Sequence, residues 1–369
     1  MEYRKLGRTD LSVSALCLGT MTFGQQNNEA EGHAQLDYAF SRGVNFLDTA
    51  EIYSIPSHPE TQGSTERIVG SWLKARGGRD KVIVATKVAG RGEMIWLREN
   101  NAPTRLDKKN IAYAIEGSLR RLQTDYIDLY QVHGWDSNTP LEETLRTLND
   151  LVRQGKVRYI GLSNLMSWQA ATAVMLQERL GLEKYVTAQM YYSLVGRGLE
   201  YEFQSFAEYH NIGILVWSAL AGGFLSGKYT RNNPAPVGTR FAEAGQFVPF
   251  DKENGYGIVD VLREVAKRHD ASPARVALAW VLARPAVSSV IVAARKPEHL
   301  EDNISAVDLQ LSSEDVRLLD EVSDPGVPYP KWMVLQLDTA EDPRPRVLHP
   351  EEYGKDGRWR DLRGSRWPG

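Results

Sequence analysis

Val82-Ile83-Val84-Ala85-Thr86-Lys87 is a run of apolar and β-branched residues without alternation, closed by an ammonium group. A strand that reads this way is buried on both faces, as in a parallel sheet covered by helices. Seven other runs share the character: Ala15–Gly19, Asn45–Asp48, Ile127–His133, Tyr159–Ser163, Val186–Gln189, Ile214–Trp217 and Val287–Val292. The segments between them carry apolar residues three and four apart, as in Ile111, Ile115, Leu119 and Leu122, or Leu141, Leu145, Leu148 and Val152, the pattern of amphipathic helices. Helix starts are marked by Ser64 with Glu66, by Thr139-Pro140 with Glu142 and Glu143, and by Ser272-Pro273. Eight strand–helix units suit either a closed barrel or a doubly wound open sheet, and the number eight favours an α/β fold of the (β/α)8 TIM-barrel type.

Outward from these units, Arg4–Leu6 and Ser12–Ser14 flank the turn-rich Gly7-Arg8-Thr9-Asp10 and predict an N-terminal β-hairpin that caps the barrel floor. About 70 residues separate the seventh and eighth strands, with a Gly/Pro-rich opening from Ala221 to Gly245 and helical patterns at Gly257–His269 and Pro273–Ala283. So long a connection is a functional loop by expectation. Residues 1–323 read as one barrel domain. Residues 324–369, with seven prolines and Trp332, Trp359 and Trp367, read as a C-terminal extension and not as a domain of their own.

Lys and Arg number 44 against 47 Asp and Glu, so the net charge is −3 and a nucleic-acid partner is not expected. Cys17 is the single cysteine, which excludes an internal disulfide and any multi-cysteine metal site. The first ten residues hold no apolar leader, and no apolar run approaches the ~18 residues of a membrane span, so a cytoplasmic protein without a membrane partner is expected.

A barrel gathers its chemistry at the C-terminal strand ends. In order, the strands end at Gly19-Thr20, Asp48, Lys87, His133, Ser163-Asn164, Gln189, Trp217-Ser218 and, just past the eighth, Arg295-Lys296. Any strand leaves into a polar loop, which accounts for Ser163, Asn164 or Gln189 taken singly. An ammonium or an imidazole ending a packed strand instead needs a partner, and Asp48 and Lys87 supply each other. Tyr53 follows Asp48 by five residues. With the Lys87 ammonium about 4 Å from its phenol, an effective dielectric of ~20 gives roughly 4 kcal/mol, about three pKa units, and brings the phenol from about 10 towards 7. Such a tyrosine is suited to general acid–base work.

Five segments together resemble the aldo-keto reductase superfamily: Gly43-Val44-Asn45-Phe46-Leu47-Asp48-Thr49-Ala50-Glu51-Ile52-Tyr53, Thr86-Lys87, Tyr130-Gln131-Val132-His133, Gly161-Leu162-Ser163-Asn164 and Trp217-Ser218-Ala219-Leu220. The resemblance covers roughly residues 1 to 323. Within the superfamily, the spacing from Tyr53 to Gly63-Ser64-Thr65-Glu66 and the long strand-seven loop are similar to the Tas-like bacterial reductases and the potassium-channel β-subunit branch. It implies a (β/α)8 barrel that binds NADP(H) across its C-terminal rim and reduces aldehydes or ketones to alcohols by hydride transfer. By it, Tyr53 is the proton donor, Lys87 lowers its pKa, Asp48 pairs with Lys87, and His133 orients the substrate carbonyl. It also makes Ser163, Asn164 and Gln189 binders of the nicotinamide amide and Trp217 the ring stacked on the nicotinamide. Gly19, Thr20, Met21 and Asp48 would border the same part of the cofactor. Ser218, Ala219, Leu220, Gly222, Gly223, Leu225, Ser226 and Lys228 would form the pyrophosphate clasp. Arg240, Arg295 and Lys296 would hold the adenosine 2′-phosphate, and Ala293, His299, Asp302 and Asn303 would lie at the adenine. The sequence departs from the family where Gly134 precedes Trp135, at Ala293-Ala294, and at His299.

Rival motifs fail. Gly222 to Lys228 spells G-x-x-x-x-G-K, but Tyr229 stands where a phosphate-binding loop needs Ser or Thr for magnesium. No dinucleotide G-x-G-x-x-G and no H-E-x-x-H occurs. No metal is expected. The expected partner is a small carbonyl compound in a pocket lined by Met21, Tyr53, Trp135, the Met94–Trp96 loop and the C-terminal extension, and a homo-oligomer is left open. The alternative function is a redox-sensing auxiliary protein of the channel β-subunit kind, which binds the cofactor and turns over slowly.

Overall fold

The computed structural model describes residues 1–333. Its chain forms, in order, β1 (Tyr3–Lys5), β2 (Ser12–Ser14), β3 (Leu16–Gly19), α1 (Glu29–Ser41), β4 (Phe46–Asp48), α2 (Ser64–Arg76), β5 (Ile83–Val88), α3 (Lys108–Leu122), β6 (Ile127–Val132), α4 (Leu141–Arg153) and β7 (Val157–Ser163). There follow α5 (Ser167–Arg179), β8 (Thr187–Tyr191), α6 (Phe203–Tyr209), β9 (Gly213–Trp217), α7 (Arg240–Ala244), α8 (Lys252–Arg268), α9 (Pro273–Leu282), β10 (Val287–Val292), α10 (Pro297–Ile304) and α11 (Ser313–Val322). Strands β3 to β10 pair in parallel and in sequence order, and β10 closes on β3. The barrel is therefore the one the eight apolar runs predict, and the open sheet is excluded.

The helices form where the pattern places them, with local departures at their starts. Asp107 accepts from the Asn110 amide and so caps α3, whose Ile111, Ile115 and Leu122 are fully buried. Ser272 caps α9 in the same way, with Pro273 in the first turn. In α2 the cap position falls on Gly63, at φ 70°, and Ser64 is already helical, its hydroxyl donating to Thr61 O. Helix α8 begins five residues before the expected Gly257, because the Asp251 side chain accepts from the Asn254 amide and starts the helix through Gly255. The later C-terminal tail, including Trp359 and Trp367, lies outside the described residues.

The hairpin β1–β2 closes the lower end. Leu6 and Val13 are fully buried and pack with Cys17, Phe46, Ala85, Leu129 and Leu215, the inward side chains of the barrel floor. A Cβ on Gly7, at φ 55°, would stand 2.3 Å from Val186 O and 2.9 Å from Asn211 O, so the turn fits against the starts of β8 and β9 only as glycine. The larger core lies between strands and helices. With the floor filled by hydrocarbon, inward-facing polar residues are displaced to the opposite mouth. Period two puts Ala85 and Lys87 on the same inward face, one in the floor and the other beneath the upper rim.

Candidate active site

Asp48 is the last residue of β4, Lys87 the penultimate residue of β5, and His133 the first residue after β6. Tyr53 stands on the loop after β4, its amide donating to Ala50 O and its carbonyl accepting from the Gly63 amide at 2.7 Å. The Lys87 side chain is fully buried. Its Nζ donates to Asp48 Oδ2 at 2.7 Å and Thr49 O at 2.8 Å, and makes a long contact of 3.4 Å to the Tyr53 phenol. The His133 ring meets the Tyr53 ring edge-on, with centroids 5.8 Å apart. Four groups from three segments thus converge at the C-terminal mouth.

The electrostatics correct one expectation. Burial pushes the Tyr53 phenol up, Lys87 pulls it down, Asp48 pushes it up again, and the net direction is upward, not towards 7. The Coulomb argument from sequence counted the ammonium and omitted the dry surroundings, which disfavour the phenolate. Tyr53 is consequently a neutral phenol at neutral pH, a proton donor at rest. Lys87 is lowered by burial but raised more by Asp48 and Tyr53 together, so it remains charged.

Burial, and then the charge of Lys87, lower the His133 imidazole from 6.5 to about 3. Its Nδ1 is enclosed without a partner among the described residues. A histidine held neutral in the native state but protonated on unfolding makes stability rise with pH between those two values. The slope has an upper limit of about 1.4 kcal/mol per pH unit, reduced by the ring's partial exposure. His133→Phe should flatten that part of the stability–pH curve, as read by urea denaturation at pH 4, 5 and 6.

The remaining strand-end residues are tied to these four. Gln189 Nε2 donates to Asp48 Oδ1 at 2.7 Å, and Ser163 Oγ donates to Gln189 O at 2.9 Å. Thr20 donates to Asp48 O through its amide and hydroxyl, and the Met21 carbonyl accepts from Ile55. Asn164, at φ 57°, donates through Nδ2 to His133 O at 3.3 Å and accepts from Trp217 Nε1 at 3.0 Å. The Trp217 ring lies between Tyr191 and Phe247, at centroid distances of 5.3 and 6.1 Å. Trp135 meets Trp168 edge-on at 6.0 Å, while Ile95 and Trp96 are exposed on the loop after β5.

The loop after β9 holds Ser218, Ala221, Gly222 and Gly223 at φ 55°, 49°, 68° and 90°. Two non-glycine residues in this region mark a backbone held in a costly shape. A Cβ on Gly223 would come within 3.2 Å of Lys228 Nζ, and one on Gly222 within 3.8 Å of Arg240 Cδ, so both cations flank the glycines. Ser226 Oγ donates to Gly223 O at 2.7 Å, and Ala219 and Leu225 are buried beneath. Burial and then Arg295 lower both Lys228 and Arg240 from their ordinary values, and among the described residues neither has a carboxylate partner.

Of the other expected contacts, Arg295 and Asp302 are engaged within the protein. Arg295 pairs with Glu243 at 2.7 Å and donates to Gln26 at 2.9 Å. Asp302 is engaged by Arg275 at 2.8 Å and by Ser272, so its carboxylate serves the start of α9. Lys296 is exposed, 4.0 Å from Glu298, with Ala293 also exposed and Asn303 buried nearby. His299 sits in the first turn of α10, its amide bonded to Lys296 O.

Sequence reasoning passed over Glu51, two residues before Tyr53 in the chain, and Arg98, its buried partner. It also passed over Glu66, fully buried between Thr86 and Arg121 at 2.6 and 2.7 Å. A carboxylate in a loop otherwise rich in small and aromatic residues was the available signal for Glu51. Arg98 had none, since its partner is 47 positions away.

No group of three or more His, Cys, Asp or Glu among the described residues is placed to hold a metal, and no helix there is long and apolar enough to cross a membrane. A model of the aldo/keto reductase family matches residues 15–324. The chain is 41% identical over 335 residues to "Protein tas" of Escherichia coli (strain K12), covering 86% of this chain and 95% of that protein. It is 40% identical over 327 residues to the "Uncharacterized oxidoreductase YrpG" of Bacillus subtilis (strain 168), covering 87% and 96%. It is 34% identical over 315 residues to a "Probable voltage-gated potassium channel subunit beta" of Oryza sativa subsp. japonica, covering 84% and 92%. With an eight-stranded barrel, four convergent ionisable groups at its mouth and a match over most of its length, this chain belongs to the aldo/keto reductase family.

Proposed function

We propose that this member of an oxidoreductase family is an NADP(H)-dependent reductase of aldehydes or ketones, with Tyr53 as the general acid. The observation that carries the reading is the Tyr53 phenol 3.4 Å from a Lys87 ammonium that is itself locked to Asp48 at 2.7 Å. A neutral phenol beside a buried cation gives up its proton into a site where the resulting phenolate is stabilised.

The residues present fit a dinucleotide carrying an extra phosphate. Lys228 and Arg240, unpaired beside two left-handed glycines, offer cations and close backbone approach to phosphate oxygens. Trp217 offers an aromatic face, and Ser163, Asn164 and Gln189 supply the donors and acceptors that an amide needs. When bound, the reduced nicotinamide supplies the hydride. Tyr53 Oη delivers the proton to the carbonyl oxygen, Lys87 holds the charge left behind, and neutral His133 donates a hydrogen bond that orients the carbonyl. The phenol regains its proton from solvent, so one carbonyl, one hydride and one proton yield one alcohol.

Arg240→Ala should weaken NADPH binding by ~10–100-fold, the loss of one or two charged hydrogen bonds, while leaving NADH affinity nearly unchanged. Titration of protein fluorescence with each nucleotide reads both. Equal losses for the two would remove Arg240 from the 2′-phosphate.

The 34% identity to a protein named as a potassium-channel β subunit favours a second reading, a redox-sensing auxiliary in which bound cofactor is seldom turned over. Single-turnover mixing of NADPH-loaded protein with an aromatic aldehyde separates the two. Rapid loss of the 340 nm absorbance supports the reductase, and no loss with a panel of carbonyls leaves the auxiliary role.

A further inference from the structure

Beneath the loop that carries Tyr53 lies a buried ion pair with no part in the chemistry described so far. Glu51 is 2% exposed and Arg98 7%. Arg98 Nη2 and Nη1 donate to Glu51 Oε1 and Oε2 at 2.8 and 2.9 Å, a bidentate fork. Nε of the same guanidinium donates to Asn110 Oδ1 at 2.7 Å, and Nη1 also donates to Leu97 O at 2.9 Å. The Glu51 carboxylate accepts once more, from the Ala89 amide at 2.7 Å. A pair so buried adds little to stability over an apolar substitute of the same shape. What it does impose is geometry.

Three segments meet at this one carboxylate. The first is the stretch from Asp48 to Tyr53, in which the Glu51 amide donates to Lys87 O at 3.2 Å. The second is the end of β5, where Ala89 follows Lys87 by two residues. The third is the loop from β5 to α3, which Arg98 anchors just after the exposed Ile95 and Trp96. Asn110, in the first turn of α3, is itself fixed by Asp107 at 2.9 Å, so the fork rests on a helix end. By contrast, the phenol oxygen makes one long hydrogen bond among the described residues, 3.4 Å to the ammonium. Its height is set by the backbone of residues 49–53, which Lys87, Gln62 and Ser57 hold at Thr49 O, Glu51 O and Ile52 O, and the Glu51 side chain adds the tie from that backbone to Ala89 and to the loop that carries Arg98.

We propose that Glu51 and Arg98 are positioning residues: their buried fork fixes Tyr53 over Lys87 and holds the Ile95-Trp96 segment as one wall of the carbonyl subsite. The proposal rests on the reading of Tyr53 as the acid. Because the fork touches both the acid's segment and the wall, its loss alters the chemical step and the grip on the carbonyl compound while leaving the phosphate end of the cofactor site alone. A displacement of about 1 Å at the reacting atoms is enough to cost ~100-fold.

The test is Arg98→Lys in the full chain, since lysine keeps the charge but has no fork. Expected are a fall in kcat of about 10–100-fold, a raised KM for the carbonyl compound, NADPH affinity within about twofold of wild type, and a Tyr53 Oη to Lys87 Nζ separation in the variant's crystal structure clearly longer than 3.4 Å. Glu51→Gln/Arg98→Gln, which leaves no charge buried, is the second variant should the first fail to fold, with the same expectations. Two results overturn the proposal. One is a kcat within about twofold of wild type. The other is a parallel loss of kcat, NADPH affinity and melting temperature, which is the mark of a merely structural pair. If wild type itself reduces no carbonyl, the reductase reading fails on its own. The separation in the variant crystal then decides the positioning claim, lengthened in support and unchanged against.

Discussion

Tyr53→Phe abolishes carbonyl reduction, lowering kcat by at least ~10²–10⁴-fold, the range general acid catalysis supplies, and leaves NADPH affinity within about twofold. The substitution removes one oxygen from a 9% exposed side chain whose phenol has Lys87 as its near neighbour at 3.4 Å. The ring still packs against His133, and no contact of the Lys228 and Arg240 cluster is touched. Because the phenol's pKa lies above its ordinary value, the wild-type rate of reduction should hold level through neutral pH and fall only at high pH, as the proton is lost. Stopped-flow oxidation of bound NADPH between pH 6 and 10 checks both points. A variant that reduces carbonyls at the wild-type rate, or one that no longer binds NADPH, contradicts the role given to Tyr53.

Lys87→Met combines loss of activity with loss of fold stability, about 3–5 kcal/mol, because it strands the Asp48 carboxylate in a dry interior. The ammonium is fully enclosed and satisfies Asp48 Oδ2 and Thr49 O together, and among the described residues Gln189 alone then remains on the carboxylate. Lys87→Met/Asp48→Asn should recover most of the stability, since a neutral amide can still accept from Gln189, but none of the activity, since the phenolate has lost its cation. Urea denaturation of the two variants alongside NADPH oxidation separates these effects. Equal stability in both would mean that the pair's burial carries no such cost, and activity in the double variant would remove Lys87 from the chemistry.

The barrel was legible because a strand covered on both faces leaves an unmistakable composition, repeated eight times in this chain. Asp48, Lys87 and His133 were legible for a related reason: an ionisable side chain directly ending such a run has no bland explanation. Quantities set by the third dimension were not legible. The sign of the Tyr53 shift depends on how much water the fold removes, which residue spacing does not report. The Asp302 carboxylate, which the resemblance assigns to the adenine, also binds Arg275 of α9 and Ser272 just before it, a pairing 27 to 30 positions apart that residue spacing does not report. The start of α2 at Ser64 was legible, but its cap was not, since the cap position falls on Gly63 at a left-handed backbone angle. Glu51 and Arg98 find each other only because the loops after β4 and β5 fold over the same rim.

Leu6 and Val13 seal the underside of a barrel whose interior Cys17, Phe46, Ala85, Leu129 and Leu215 already fill, and the result is a cup. A cup has one lip, so whatever enters and whatever leaves must pass the same opening and take turns. It also has an outside base, the 7–10 turn seated against the starts of β8 and β9. A tether attached there would hold the molecule to a bead or an electrode with its lip facing the bulk liquid.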